Sequence, residues 1–540
     1  MFTKRNALMT GILFILLFTS ACGGAPAATQ APPVTGAPPY QDVPDNYAAT
    51  QAPAATEAPQ TGYVPNPSLS NPGHAIPTMS ATNRQPYDTF FENYGVNPSI
   101  DTEDDHLSTF ALDVDTGSYT IMRNYLNDGN LPPPDSVRVE EYVNYFDQGY
   151  PNPPAHQAFG IYVDGAPSPF TQTDRYQMLR VGIQGYQVPQ DERKDASLTF
   201  VIDVSGSMDM DNRLGLVKRS LELLVEQLTP RDSVSIVVYG TEAHVVLDPT
   251  SGEDKGRILD AIYSLHPEGV TNAEAGIRLG YKMAMHAYNP EGINRVILCS
   301  DGVANVGVTG PEGILEEVKH YVEEGVTLTT IGFGMDNYND VLMEQLADNG
   351  NGFYAYVDDL REARRLFIDQ ITGTLQTIAM DAKVQVDFNP EVVKRYRLVG
   401  FENRAIADNQ FRDNSVDAGE IGAGHSVTAL YEIKLYPEAY GNIATVFMRW
   451  KDPDTQQVVE LSKDFSTDEL GRDFESANPY FQRSVMVAEY AEILKKSYWA
   501  ERSSLAHVYH EAERINELLP ADENMSEFME LIRRASHLTD

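Results

Sequence analysis

From Ser197 to about Thr374 the chain alternates short apolar runs with helical patterns, and this alternation constrains the fold more than any other feature. Leu198–Ile202, Val234–Tyr239, Arg295–Cys299, Val326–Gly332 and Phe353–Val357 have the length and composition of buried strands. Between the first two, Leu214, Val217, Leu221, Leu224 and Leu228 recur at helical spacing. Further helical patterns cover 256–265, 273–285, 313–324, 341–347 and 359–371. Strands that alternate with helices predict a mostly parallel sheet covered on both faces. In such sheets, sites form outside the carboxyl ends of the strands.

Three loops at those ends carry oxygen donors. Asp203-Val204-Ser205-Gly206-Ser207 follows the first strand, Gly269-Val270-Thr271-Asn272 precedes a helix, and Ser300-Asp301-Gly302 follows the 295–299 strand. The candidate ligands are Asp203, Ser205, Ser207, Thr271 and Asp301: two carboxylates and three hydroxyls, with no His or Cys. Such a set suits a hard divalent cation, Mg²⁺ first, with Mn²⁺ or Ca²⁺ as alternatives. Hydroxyls are neutral, so they leave the ion short of one anionic ligand from outside. Asp209 and Asp211, just beyond, read as solvated acids.

Asp-x-Ser-x-Ser, a distant Thr and a later Ser-Asp-Gly together resemble the metal-ion-dependent adhesion site (MIDAS) of von Willebrand factor type A (VWA) domains. The resemblance implies a Rossmann-like, doubly wound sheet. It implies that Asp203, Ser205, Ser207 and Thr271 surround the ion while Asp301 acts directly or through water. It also implies a protein partner that presents Asp or Glu to the metal, and a chain that enters and leaves the domain at one end, opposite the ion. Leu107–Tyr119, Ile331–Asp340 and Asp417–Tyr431 extend the resemblance to a family of bacterial VWA lipoproteins called YfbK-like.

At the start of the chain, Lys4 and Arg5 precede the apolar core Gly11–Phe18, and Thr19-Ser20-Ala21-Cys22 follows at once. Charge, apolar core and small residues in this order predict a secretory signal over 1–21. Small residues ending in one Cys resemble a bacterial lipobox, although Thr19 stands where Leu is usual. That resemblance implies acylation of Cys22 and an exported protein facing the outside of the cytoplasmic membrane, or the outer membrane where there is one. Residues 22–87, rich in Ala, Pro, Thr and Gln, bury too little apolar surface to fold and read as a tether. Extended at roughly 3.1 Å per residue, it would reach about 200 Å.

The flanks differ from the 195–374 segment. Residues 88–190 mix helical with strand-like stretches. Residues 381–470 alternate apolar and polar positions between turn signals, which predicts an antiparallel β-sandwich. From 476 to 540 the pattern is helical, with Val485, Ala488, Ala491 and Leu494 on one face.

The sequence has 40 Lys+Arg against 78 Asp+Glu, a net charge of −38, which repels phosphate backbones and excludes nucleic acid as a natural partner. With two cysteines, Cys22 and Cys299, there is no disulfide framework. Asp113-Val114-Asp115-Thr116-Gly117 resembles the nucleophile loop of haloacid-dehalogenase phosphatases, but Gly117 stands at the fifth position and a structural turn is the better reading. The leading expectation is therefore a metal-dependent binding module rather than an enzyme. The alternatives are an envelope assembly factor whose metal only stiffens loops, and, less favoured, a phosphatase-like enzyme.

Overall fold

The Ala196–Asp203 strand is buried at every position and forms the middle of a six-stranded sheet. The order across this sheet is Tyr354–Tyr356, Thr327–Gly332, Ile293–Ser300, Ala196–Asp203, Ser233–Tyr239 and Ala243–Ser251. The first five strands are parallel and the last is antiparallel to its neighbour. The computed structural model describes residues 89–154, 156–171, 175–302, 310–335 and 338–539. The expected leader, Cys22 and the tether lie outside them.

Two apolar clusters cover the sheet. One face meets helix Arg213–Gln227 through Leu214, Val217, Leu221 and Leu224, and the other meets helix Ala273–His286 through Ile277 and Tyr281. Cys299 is buried on the first of these faces as a free thiol. The strand Ala243–Ser251 is an addition to the expected set. The helical pattern over 359–371 is also broken up: it forms a short helix at Leu360–Arg364, a π turn at Arg365–Asp369 and a second short helix at Ile371–Leu375.

On the far side, strands from both flanks pair with each other. One antiparallel sheet runs Ile100–Asp101, Val393–Val399, Ser426–Leu435, Tyr176–Gly185 and Phe159–Pro167. A second runs Gly419–Gly422, Thr377–Phe388, Asn442–Lys451 and Val458–Ser466, with Leu107–Ala111 also paired to Thr377–Phe388. Residues of both sheets share one core, including Leu179, Val181, Val384, Val386, Tyr431 and Val446. The α/β segment is thus inserted into a sandwich. Its two ends meet, because the Lys194 N–H donates to Gln376 Oε1 at 3.1 Å.

Helices Pro479–Lys495, Leu505–Asn516 and Glu523–Thr539 close the chain. They pack around Tyr119, Tyr142 and Phe146 from the N-terminal flank. Among the described residues, no helix is long and apolar enough to cross a membrane.

Candidate functional site

Asp203 is the last residue of the central strand and Ser300 the last of its neighbour Ile293–Ser300. The pleat that buries Phe200 and Ile202 delivers the Asp203 carboxylate to the carboxyl edge of the sheet, where it is 0% exposed. Its Oδ1 accepts from the Ser205 N–H at 2.8 Å, and its Oδ2 accepts from the Ser300 hydroxyl at 2.9 Å. The Ser205 and Ser207 hydroxyls lie 3.0 Å apart. The Ser207 hydroxyl also hydrogen-bonds Asp301.

The third loop is docked by its backbone. The Gly206 N–H donates to the Gly269 carbonyl at 3.1 Å, and the Glu268 N–H donates to the Val204 carbonyl at 2.5 Å. Gly269 sits at φ +71°, and a Cβ there would come within 1.9 Å of Thr241 Oγ1, so only glycine serves. Two residues on, Thr271 is half-buried at the start of helix Ala273–His286, whose N-terminus Asn272 caps by accepting from the Ala275 N–H. Direct hydrogen bonds therefore join Asp203, Ser205, Ser207 and Asp301, and Thr271 stands two residues beyond the Gly269 contact on the docked loop.

The electrostatics of the cluster are those of acids short of counter-charge. Burial pushes the Asp203 carboxyl up to about 6, with the Asp301 charge adding to the rise, against hydrogen bonds from Ser205 and Ser300. Burial also raises Asp301, against Ser207 and Arg213. Arg213, at the start of its helix, donates to Asp301 Oδ2 and to the Ser207 carbonyl. Sequence reasoning picks out neither Arg213 nor Ser300. An arginine at a helix start carries no local signal of its partner, and Ser300 is legible only as part of its loop.

As a donor set the cluster is all oxygen, and Asp203 and Asp301 are buried carboxylates with a single guanidinium beside them. That fits a hard divalent cation. Around it, Val270 is 68% and Met210 44% exposed, large apolar side chains bordering a polar floor. Asp209 is exposed, in keeping with a solvated acid.

The Asp113 and Asp115 loop is a structural one. Both carboxylates are buried, and Arg404 pairs with them at 3.0 and 3.5 Å. Asp115 Oδ1 also accepts from the Tyr354 N–H at 3.0 Å.

Comparison with known proteins places these observations. Residues 197–370 match the family model described as von Willebrand factor type A domain. Residues 85–180 match one described as von Willebrand factor, and 373–440 with 436–538 match one described as Uncharacterized protein YfbK, C-terminal. The YfbK protein of Escherichia coli (strain K12) is 36% identical over 478 residues, 83% of this chain and 81% of that one. Inter-alpha-trypsin inhibitor heavy chain H4 of Homo sapiens is 29% identical over 192 residues, 34% of this chain and 20% of its own. Among solved structures, a von Willebrand factor type A protein from Catenulispora acidiphila aligns with a TM-score of 0.42 and 16% identity, over 72% of this chain and 97% of that one.

Proposed function

The chain belongs to the YfbK family of von Willebrand factor type A proteins, and from that premise we propose that it is a docking module of the cell envelope whose site is completed by a divalent metal ion. The observation that carries this reading is the convergence at one sheet edge of two buried carboxylates and a pair of hydroxyls 3.0 Å apart. Asp203, Ser205, Ser207, Thr271 and Asp301 would hold the ion. Ser205 and Ser207 present neutral oxygens, and Asp203 is fixed by its bonds to the Ser205 N–H and the Ser300 hydroxyl. A bound Mg²⁺ would supply an electrophilic contact for an Asp or Glu carboxylate of the partner protein. Val270 and Met210 supply apolar area beside it, and apolar area next to a fixed polar contact is what a protein interface uses.

The test is capture of an envelope protein by the purified chain. Capture should need Mg²⁺, fail in EDTA and fail in Thr271→Ala, while the circular dichroism of that variant stays that of the wild type. Capture that persists in EDTA with a folded chain sinks the reading.

Anchoring belongs to the same proposal. Cleavage before Cys22 and acylation of that residue would hold the head on the membrane through the 22–87 tether. Labelled palmitate should enter the wild type and not Cys22→Ser; equal labelling, or wild-type protein released to the medium, rejects the anchor.

A further inference from the structure

Twice among the described residues, three carboxylates each bring an oxygen to within 4.8 Å of the others. The first group, Asp113, Asp115 and Glu344, already contains a cation. The Arg404 guanidinium lies between the three at 3.0, 3.5 and 2.9 Å and reaches Asp348 as well, at 2.9 Å. The second group, Asp381, Asp417 and Glu420, has no such partner. Among the described residues, neither Lys nor Arg forms an ion pair with any of the three. Lys383 and Lys451 act on Asp381 from a distance, Lys319 on Asp417, and Arg404 and Arg295 on Glu420, none of them as an ion pair. The Lys383 ammonium itself is spent on the Asp413 carbonyl at 2.7 Å.

Glu420 is the second, independent observation. It is 8% exposed, and its Oε1 is buried with no hydrogen-bond partner, while the carboxylate faces Asp381 and Asp417. Proteins rarely leave a buried carboxylate oxygen without a hydrogen bond, because the ionised form loses its hydration and distant charges return only part of it. Burial, with Asp417, Asp348 and Asp381 adding to it and Arg404 opposing it, raises the Glu420 carboxyl well above the usual range.

The backbone is shaped to bring the three together. Asp381 lies in the Thr377–Phe388 strand where its register with Gly419–Gly422 shifts, and it takes a left-handed φ of 53°. Glu420 belongs to the paired strand, and Asp417 stands on the exposed lead-in to it.

We propose that Asp381, Asp417 and Glu420 form a second cation site, separate from the Asp203 loops, that takes Ca²⁺. Three anionic oxygens supply the charge that Ca²⁺ sites use to gain affinity. Ca²⁺ tolerates irregular carboxylate geometry and fills the rest of its shell with water, for which the exposed Asp417 side leaves room. Mg²⁺ demands a near-ideal octahedron and sheds water reluctantly, so it is the disfavoured occupant. The bound ion would clamp the 413–420 segment onto the strand that leads out of the α/β segment. The inference does not depend on the docking proposal.

The experiment is titration calorimetry with CaCl₂ on the full chain in detergent, in wild type and in an Asp203→Ala background that silences the first site. Asp203→Ala should retain one Ca²⁺ per chain, and its melting temperature should rise with Ca²⁺. Adding Asp417→Asn, an exposed substitution that leaves the fold intact, should weaken this binding at least tenfold. Glu420→Gln should melt at or above its parent in EDTA, since it removes a buried charge, yet show no rise with Ca²⁺. Should Asp203→Ala misfold, the same loss is read in wild type as a fall from two Ca²⁺ per chain to one. The proposal is overturned if Ca²⁺ binding is unchanged in both carboxylate variants. It is overturned equally if the Asp203→Ala chain binds no Ca²⁺ up to about 1 mM, the weak end of extracellular calcium modules.

Discussion

Arg213 Nη1 donates to Asp301 Oδ2 at 2.8 Å, and both side chains are 5% exposed. One of the two acids expected to face a metal is thus already paired with a cation of the protein, although burial still raises its carboxyl. A buried guanidinium and an incoming cation compete for the same charge, so Arg213 sets how strongly Asp301 draws on the ion.

Arg213→Met should therefore act in opposite directions on stability and affinity. Without metal, breaking a buried pair and stranding Asp301 should cost about 3 kcal/mol. With Mg²⁺ present much of that loss should return, because Asp301 regains its full field, and Mg²⁺ should bind about tenfold tighter, or about 1.4 kcal/mol. Thermal melts with and without Mg²⁺, together with calorimetry, check both effects. An unchanged Mg²⁺ affinity would show that Asp301 has no share in the site.

Mg²⁺ binding at the Asp203 loops should disappear in Asp203→Ala. In wild type, Mg²⁺ at a hundredfold excess over its Kd should stabilise the fold by about 2.7 kcal/mol through linkage. Thr271→Ala, which alters a half-buried loop residue, should weaken binding with little effect on the metal-free melt. Asp203→Ala that binds Mg²⁺ as wild type does would place the ion elsewhere.

His425 should make the protein acid-sensitive. Its Nδ1 is buried without a hydrogen-bond partner, although the residue keeps some surface, and burial with Arg365 and Arg295 nearby lowers its pKa to about 4. The folded value lies below the unfolded one, so the unfolded chain takes up the proton first. Stability is then complete above pH 6.5 and falls as the pH drops toward 4. At pH 4.5 the loss from this group should be about 2 kcal/mol, discounted for its partial exposure. His425→Gln should narrow the gap in urea midpoint between pH 7.5 and pH 4.5; an unchanged gap assigns the acid loss to other groups.

Arg404→Met should be among the most damaging single changes. It would leave Asp113, Asp115, Glu344 and Asp348 facing each other without the guanidinium that bridges them. A cost of about 4 kcal/mol at pH 7 is expected from a mostly buried cluster in which only Glu344 keeps a cationic partner, Arg138 at 3.6 Å. Burial and mutual repulsion raise the Asp115 and Glu344 carboxyls, so the penalty should shrink at pH 5.5, where these groups protonate more readily in the variant. Equal penalties at both values, measured in urea, would refute this account.

The alternating α/β pattern was legible because buried parallel strands are short, continuous apolar runs that need no partner to be recognised. Ala243–Ser251 was not legible. It is an antiparallel edge strand with only two buried positions of nine and a Pro at 249, so it lacks both the buried apolar run and the clean alternation. Asp203, Ser205 and Ser207 could be read because their spacing is local, whereas Thr271 and Asp301 stand on separate loops and could be read through the family resemblance. Arg213 and Ser300 could not, because what they do depends on which strand ends the fold brings side by side. The Arg404 hub was equally hidden: its four acids come from two segments far from it along the chain.

The bond between Lys194 and Gln376 closes an excursion of 182 residues, and this has a kinetic consequence. The flanking strand Tyr176–Gly185 pairs with Ser426–Leu435, so until the α/β segment condenses, that pairing must close a loop of more than 200 residues. Closing so long a loop costs chain entropy before any contact repays it. Once the segment is folded, its adjacent ends bring the two flanks together and shorten the effective loop to a few tens of residues. The α/β sheet should therefore form first and template the sandwich. In pulsed hydrogen exchange during refolding, amides of Ala196–Asp203 should be protected before those of Tyr176–Gly185; the reverse order would mean that the sandwich nucleates the insert.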